Sequence, residues 1–162
     1  MSAGGKRFYG KYRGKVSDND DPLMLGRIKA KVPSLLTDQE TGWATPCSPY
    51  AGNGVGFFFI PPTDANVWIE FEEGRLDHPI WTGGFWAEGE LPKAPAIPDV
   101  KVIKTDFATI TIDDLLQSVT IETTSQLQMS MDTTGIKLSN GSSTVELTPA
   151  SVSINDGALE VV

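Results

Sequence analysis

From Ile110 onward the chain repeats one small pattern: two apolar residues flank a single residue, a turn follows, and the motif returns. The pairs are Ile110/Ile112, Val119/Ile121, Leu127/Met129, Ile136/Leu138, Val145/Leu147, Val152/Ile154 and Leu159/Val161, and successive pairs begin 9, 8, 9, 9, 7 and 7 residues apart. Alternation over so few residues predicts short strands, each with one apolar face. Turn formers fill the gaps, among them Asp113-Asp114, Thr133-Thr134-Gly135, Asn140-Gly141-Ser142 and Asn155-Asp156-Gly157. Strands carrying about two core residues apiece cannot enclose an interior alone, because a repeat unit buries its face only against neighbours. Other copies of the same chain are the expected neighbours.

The first 86 residues alternate differently and predict a compact β domain. Tyr12, Gly14 and Val16 open one strand, and Ile28, Ala30 and Val32 alternate with Arg27, Lys29 and Lys31 in the next. Trp43–Pro46, Val55–Ile60, Val67–Glu72 and Ile80–Trp86 supply further strands, with Pro61–Asn66 as a turn cluster between two of them. About five short strands without a convincing amphipathic helix suggest a small closed barrel of the oligonucleotide/oligosaccharide-binding (OB) type. Three prolines between Ala87 and Pro98 mark an extended spacer. The expected division is a barrel domain with an N-terminal arm over 1–86, a linker over 87–104 and a tail over 105–162.

Charge and composition narrow the chemistry. The 162 residues are 40% hydrophobic and 21% charged, as in folded proteins, and no apolar run reaches the length of a membrane helix. Without an apolar signal segment in Met1–Tyr12, synthesis in the cytoplasm is expected. The net charge is −8. From residue 101 onward three lysines face eight acidic residues, a sign that repels phosphate backbones and opposes nucleic acid as a partner. Cys47 and His78 are each the only residue of their kind, so disulfides, cysteine-based zinc sites and the usual nucleophile-base pairs have little to build on. A buried, inert thiol is expected for Cys47 and a solvent-facing turn for His78.

Several ordered blocks carry a family resemblance. Asp21-Pro22-Leu23-Met24-Leu25-Gly26-Arg27-Ile28-Lys29-Ala30-Lys31-Val32-Pro33 is followed by Gly42-Trp43-Ala44 and by Pro49–Phe57. Pro61-Pro62 through Asn66–Glu72, and then His78–Trp86, continue the series. In these blocks the chain resembles the barrel domain of central spike proteins of contractile injection systems, namely phage baseplate assembly protein V and the valine-glycine-repeat (VgrG) spike of type VI secretion and related extracellular particles, which implies assembly into a phage tail, a secretion apparatus or an extracellular injection particle. The resemblance implies an all-β protein in which the OB-fold barrel is followed by an intertwined triple-stranded β-helix, a needle wound from three chains. It further implies a structural, non-enzymatic homotrimer that seats on a baseplate hub protein and touches the target membrane only mechanically.

Departures from the family pattern bear on what to expect. The link after Ala87 is too short for the lysozyme domain that some phage spikes insert, and few residues precede Tyr9, so the hub is expected to be a separate polypeptide. Some spike tips hold iron through His-x-His pairs, and this tail contains no histidine, so no metal or other cofactor is expected.

Candidate residues follow from both lines. The expected trimer core is Ile110, Ile112, Val119, Ile121, Leu127, Met129, Ile136, Leu138, Val145, Leu147, Val152 and Ile154. Leu159, Val161 and Val162 form an apolar platform that, by the resemblance, a tip protein of the proline-alanine-alanine-arginine (PAAR) type would cover. Lys6, Arg7, Lys11, Arg13 and Lys15 are either a docking arm for an acidic hub or the solvated outer face of a strand. Gly52, Gly54 and Gly56 lack the helix and charge partner of a phosphate cradle and read as a loop. Phe57, Phe58, Phe59, Trp68, Trp81, Phe85 and Trp86 are either a stacking platform for bases or sugars or, as favoured, barrel core and subunit interface. Glu70, Glu72, Glu73 and Asp77 have the composition of a glycosidase carboxylate group but the placement of a solvated strand face. The competing functional class is an oligosaccharide-binding barrel on a trimerising stalk, and a cell-wall hydrolase is the third.

Overall fold

The structure, a computed structural model, describes residues 6–93 and 96–161, and the chain divides between Gly89 and Glu90 into two units. Each is considered by itself.

In the first unit the strands are β1 (Tyr12–Asp18), β2 (Lys29–Lys31), β3 (Thr45–Pro46), β4 (Ala51–Gly52), β5 (Val55–Gly56), β6 (Asn66–Phe71) and β7 (Pro79–Gly84). One helical turn, α1 (Pro33–Leu36), lies between β2 and β3, with proline in its first turn, where a missing N–H costs nothing. The main sheet runs β2-β1-β6-β7-β3, antiparallel except for the β3–β7 pair, where Thr45 lies beside Ile80 and Pro46 beside Trp81. Its two edges are drawn together: Ile28 and Ala44 exchange backbone hydrogen bonds of 3.2 and 2.7 Å, and the Thr41 N–H donates to the Ala30 carbonyl at 2.8 Å. The sheet thereby closes on itself as an OB-type barrel, which removes its open edges.

The alternation seen in the sequence is the alternation of burial. Val67, Ile69 and Phe71 of β6 point inward beside Val16, Ile28, Ala30, Val32 and Ala44, while Trp68 and Glu70 are half-buried on the outer side. Gly14 is required by close approach, since a Cβ there would sit 3.0 Å from Ile69 Cγ1 and 3.3 Å from the Lys31 carbonyl oxygen. Two expectations fail here. The apolar run Val55–Ile60 forms a strand only at Val55–Gly56, because Gly56 breaks the extended path at φ 151° and Phe57 donates its N–H back to Tyr50. Cys47 is exposed, not buried, because it follows β3 and lines a surface groove instead of packing over the core.

A buried ion pair organises the loop between β1 and β2. The Asp21 carboxylate accepts N–H bonds from Leu23 at 3.0 Å, Leu25 at 2.8 Å and Arg27 at 3.3 Å, and takes the Arg27 guanidinium in two further bonds of 3.0 and 2.5 Å. The Arg27 side chain beside it, aided by those N–H donors, holds the Asp21 carboxyl far below the usual carboxylate range.

The second unit is one eight-stranded antiparallel meander: β8 (Val100–Lys104), β9 (Ala108–Asp113), β10 (Ser118–Thr123), β11 (Gln128–Met131), β12 (Ile136–Ser139), β13 (Thr144–Leu147), β14 (Val152–Ile154) and β15 (Leu159–Val161). Each strand pairs with its neighbours in the same chain. β8 occupies residues expected to be linker; its Val-Lys-Val-Ile-Lys pattern suits an edge strand, where lysines discourage further pairing. Turn chemistry follows the sequence. Asn140 Oδ1 accepts from the N–H groups of Ser142 and Ser143 at 3.2 and 2.7 Å, and Asp132 Oδ1 accepts from Thr134 and Gly135. Gly135, at φ 157°, admits no side chain, because a Cβ would land on the Leu147 carbonyl oxygen.

The lowered Asp21 pKa fixes a sign. A carboxyl whose folded pKa lies below its unfolded value near 3.9 contributes stability that is complete at neutral pH and is lost as pH falls from that value down through the folded one. Asp21→Asn is expected to lower the melting temperature of the barrel at pH 7 by several degrees and to flatten its decline between about pH 5 and pH 2. Parallel melting curves for wild type and variant across that range would remove the ion pair from the stability of the barrel.

Candidate functional site

The register of the C-terminal sheet sets its apolar side chains in two rows, one crossing all eight strands and the other running from β9 to β15, where Lys101 of β8 lies opposite Ile112. Ile103, Ile110, Ile121, Met129, Leu138, Val145, Ile154 and Leu159 are successive cross-strand partners in one row. Ile112, Val119, Met131, Ile136, Leu147, Val152 and Val161 form the other. Directly opposed residues share a face, so both rows lie on one side of the sheet. The intervening positions Thr111, Thr120, Ser130, Lys137, Glu146 and Ser153 pair with one another and form a polar opposite side.

This apolar side has no second layer. No described residue from 96 to 161 is buried, and Ile121, in the middle of a row, remains 38% exposed. A shallow concavity of about 480 Å³ is set into the face and lined by Ile121, Leu127, Met129, Leu138, Val145 and Ile154. Soluble monomers rarely leave so long an apolar surface uncovered.

The structure brings all twelve expected core residues to this face, with one change of pairing. Leu127 precedes β11, and the pair that continues the rows is Met129/Met131, not Leu127/Met129. Met131 and Ile103 were missed; the signal for each was the parity of its strand, once the start of that strand was known. Leu159 and Val161 close the two rows on the edge strand β15, at 58% and 63% exposure, and Val162 lies outside the described residues.

The basic residues near the N-terminus are mostly engaged within the barrel. Lys6 lies over the Phe8 ring at 5.2 Å, and Arg7 donates to the Glu73 carbonyl at 3.2 Å. Lys11 sits 2.8 Å from Glu70 and donates to Thr82 Oγ1 at 3.0 Å. The Arg13 guanidinium stacks on Trp68 and Phe85, at 5.0 and 4.7 Å from their centroids. Lys15 is exposed on β1.

Carboxylates considered for catalysis are likewise paired. Glu70 faces Lys11, and Asp77 lies 3.1 Å from Arg75, whose guanidinium holds the Asp77 carboxyl below its ordinary range. His78 is exposed, 3.4 Å from Asp77 and 3.7 Å from Glu72. The glycines Gly52, Gly54 and Gly56 belong to the β4–β5 hairpin. Of the aromatics, Trp81 packs against the core and donates its indole N–H to the Gly26 carbonyl at 3.2 Å. Phe57, Phe58 and Phe59 are not core: they are 58%, 72% and 60% exposed.

Comparison with protein families supplies what geometry leaves open. Residues 12–86 match the type VI secretion system/phage-baseplate injector OB domain, and residues 100–160 match the phage baseplate V C-terminal trimerisation domain. The chain belongs to the phage-baseplate and type VI spike family. Its matched domains are structural ones, and the second makes this family member a homotrimer, which supplies the copies that the uncovered face requires. A search of curated proteins found no match. No helix among the described residues is long and apolar enough to cross a membrane.

Met131→Asp is expected to abolish the trimer. It sets three charges around one apolar interior, each costing several kcal/mol when buried without a partner. Ser130→Asp, one residue away on the polar side, is expected to leave sedimentation equilibrium unchanged. If both variants behave alike, the two-row register is wrong.

Proposed function

We propose that this protein is the central spike of a contractile injection apparatus. In this reading three chains bring their apolar faces together into a β-helical needle, the barrels seat on the hub, and the needle is driven through the target envelope. The observation that carries it is the pair of unbroken apolar rows from β8 or β9 to β15 in a family member with a trimerisation domain. The work is mechanical, and no catalytic step is assigned to the chain.

The architecture suits axial force. Backbone pairing is completed within each chain by the meander, and side-chain burial is completed only between chains. Removing one strand therefore breaks its own ladder and also uncovers the apolar faces of the other two copies, so local peeling is costly. The hub contact is assigned to the barrel's basic segment, Lys6, Arg7, Lys11, Arg13 and Lys15, with the exposed Lys15 free to meet an acidic surface and Arg13 held in place by its aromatic neighbours. The tip contact is assigned to β15, whose outer edge offers unpaired backbone groups and whose Leu159 and Val161 are exposed. A cone-shaped PAAR-type protein fits that end.

Truncation after Asn155 removes β15 and leaves the other seven strands. In particles purified from the producing strain, it is expected to abolish co-purification of a tip protein while the spike remains trimeric by sedimentation. Retention of the tip protein by the truncated trimer would place that contact elsewhere. A trimer that never co-purifies with sheath, tube or hub would overturn the spike reading itself.

A further inference from the structure

The barrel carries a second apolar surface, which neither its own core nor the C-terminal sheet explains. The β4–β5 hairpin and the three phenylalanines after it flank a groove of about 980 Å³ whose other wall includes Leu25, Pro46, Cys47 and Trp81. Phe57 and Phe59 stack at 6.5 Å between centroids, Tyr50 meets Phe57 edge-on at 6.4 Å, and Phe58 is 72% exposed. The groove has no lining Asp, Glu, Lys, Arg or His.

We infer that this surface is the contact between barrels of one trimer, the three grooves turning toward the threefold axis so that each patch covers the other two. The inference rests on the homotrimer. Two observations select a second copy over another partner. First, the 15 residues between Gly84 of β7 and Val100 of β8 span at most about 50 Å, so three barrels tethered to one trimeric tail meet at millimolar effective concentration. Even a weak apolar contact forms under those conditions. Second, the groove carries no ionisable side chain, so identical barrels meet there without setting like charges against each other or desolvating a charge. A hub of complementary charge would instead be matched by a charged surface.

The loop of the Asp21–Arg27 pair belongs to this contact. By accepting the Leu23, Leu25 and Arg27 N–H groups, the Asp21 carboxylate holds the loop rigid and presents Leu25 to the groove, so little ordering entropy is lost on docking.

Cys47, the only cysteine, lies in the groove wall and reports on its accessibility. The test is the rate of maleimide labelling of Cys47 in the full-length chain, after sedimentation has established its oligomeric state. In the trimer, labelling is expected to be about tenfold slower than in the Met131→Asp monomer, the protection reached when effective concentration exceeds the contact's dissociation constant tenfold. Phe58→Asp is expected to restore fast labelling while leaving the trimer assembled through its tail. Equal rates in trimer and monomer would overturn the inference and leave the trimer standing. Protection that appears only in assembled particles would assign the groove to the hub instead. A wild-type chain that sediments as a monomer would overturn the trimer and this contact together.

Discussion

A β-sheet with one apolar face needs something to lie against, and the C-terminal half of this chain provides nothing. Its eight strands satisfy one another's backbone groups within one copy, except along the outer edges of β8 and β15. Burial is not met within one copy, since both apolar rows remain open along the sheet. The two requirements are thus met at different levels: the ladder is built within one chain, and the apolar rows are buried only against a further surface.

The barrel solves the same problem within one chain. Its sheet closes through the Ile28–Ala44 bridge, and eight side chains from four separate stretches of sequence fill the interior. Because closure settles the core early, the outside is free to specialise. Lys11 and Arg13, at the start of β1, lock onto Glu70 and Trp68 of β6 and onto Phe85 on one part of the surface, while the β4–β5 hairpin and Phe57–Phe59 leave a charge-free apolar patch on another. The Asp21–Arg27 pair ties the loop beside that patch to the barrel. A charged clasp under exposed apolar residues keeps such a loop from collapsing onto its own patch.

Engagement of the N-terminal cations changes what a cluster of positive charge means here. Lys11 and Arg13 lie four and two residues from Lys15 on neighbouring positions of the chain, yet the first is neutralised by Glu70 and the second is spread over two rings. Surface ion pairs of this kind contribute little stability, but they fix where charge is presented. Where this segment presents its charge therefore depends on partners up to 72 residues away in sequence.

The sequence by itself determined everything that depends on local period. Alternation placed the strands of both units except at Val55–Ile60 and Val100–Lys104, turn residues placed the reversals, and two apolar residues per strand showed that the tail lacked an interior of its own. Tertiary structure decided what depends on distant partners. Met131 replaced Leu127 in the rows because the pairing of β11 with β10 and β12, not the apolar pattern, fixes which residues oppose. Val100–Lys104 became a strand because β9 was there to pair with it. Phe57–Phe59 read as barrel core or subunit interface without distinction, since hydrophobicity is the same whether a side chain faces inward or out; only closure of the barrel through Ile28 and Ala44 left them outside the core. A pattern along the chain specifies which face of an element must be buried, and the partner that buries it is known only when the rest of the assembly is in place.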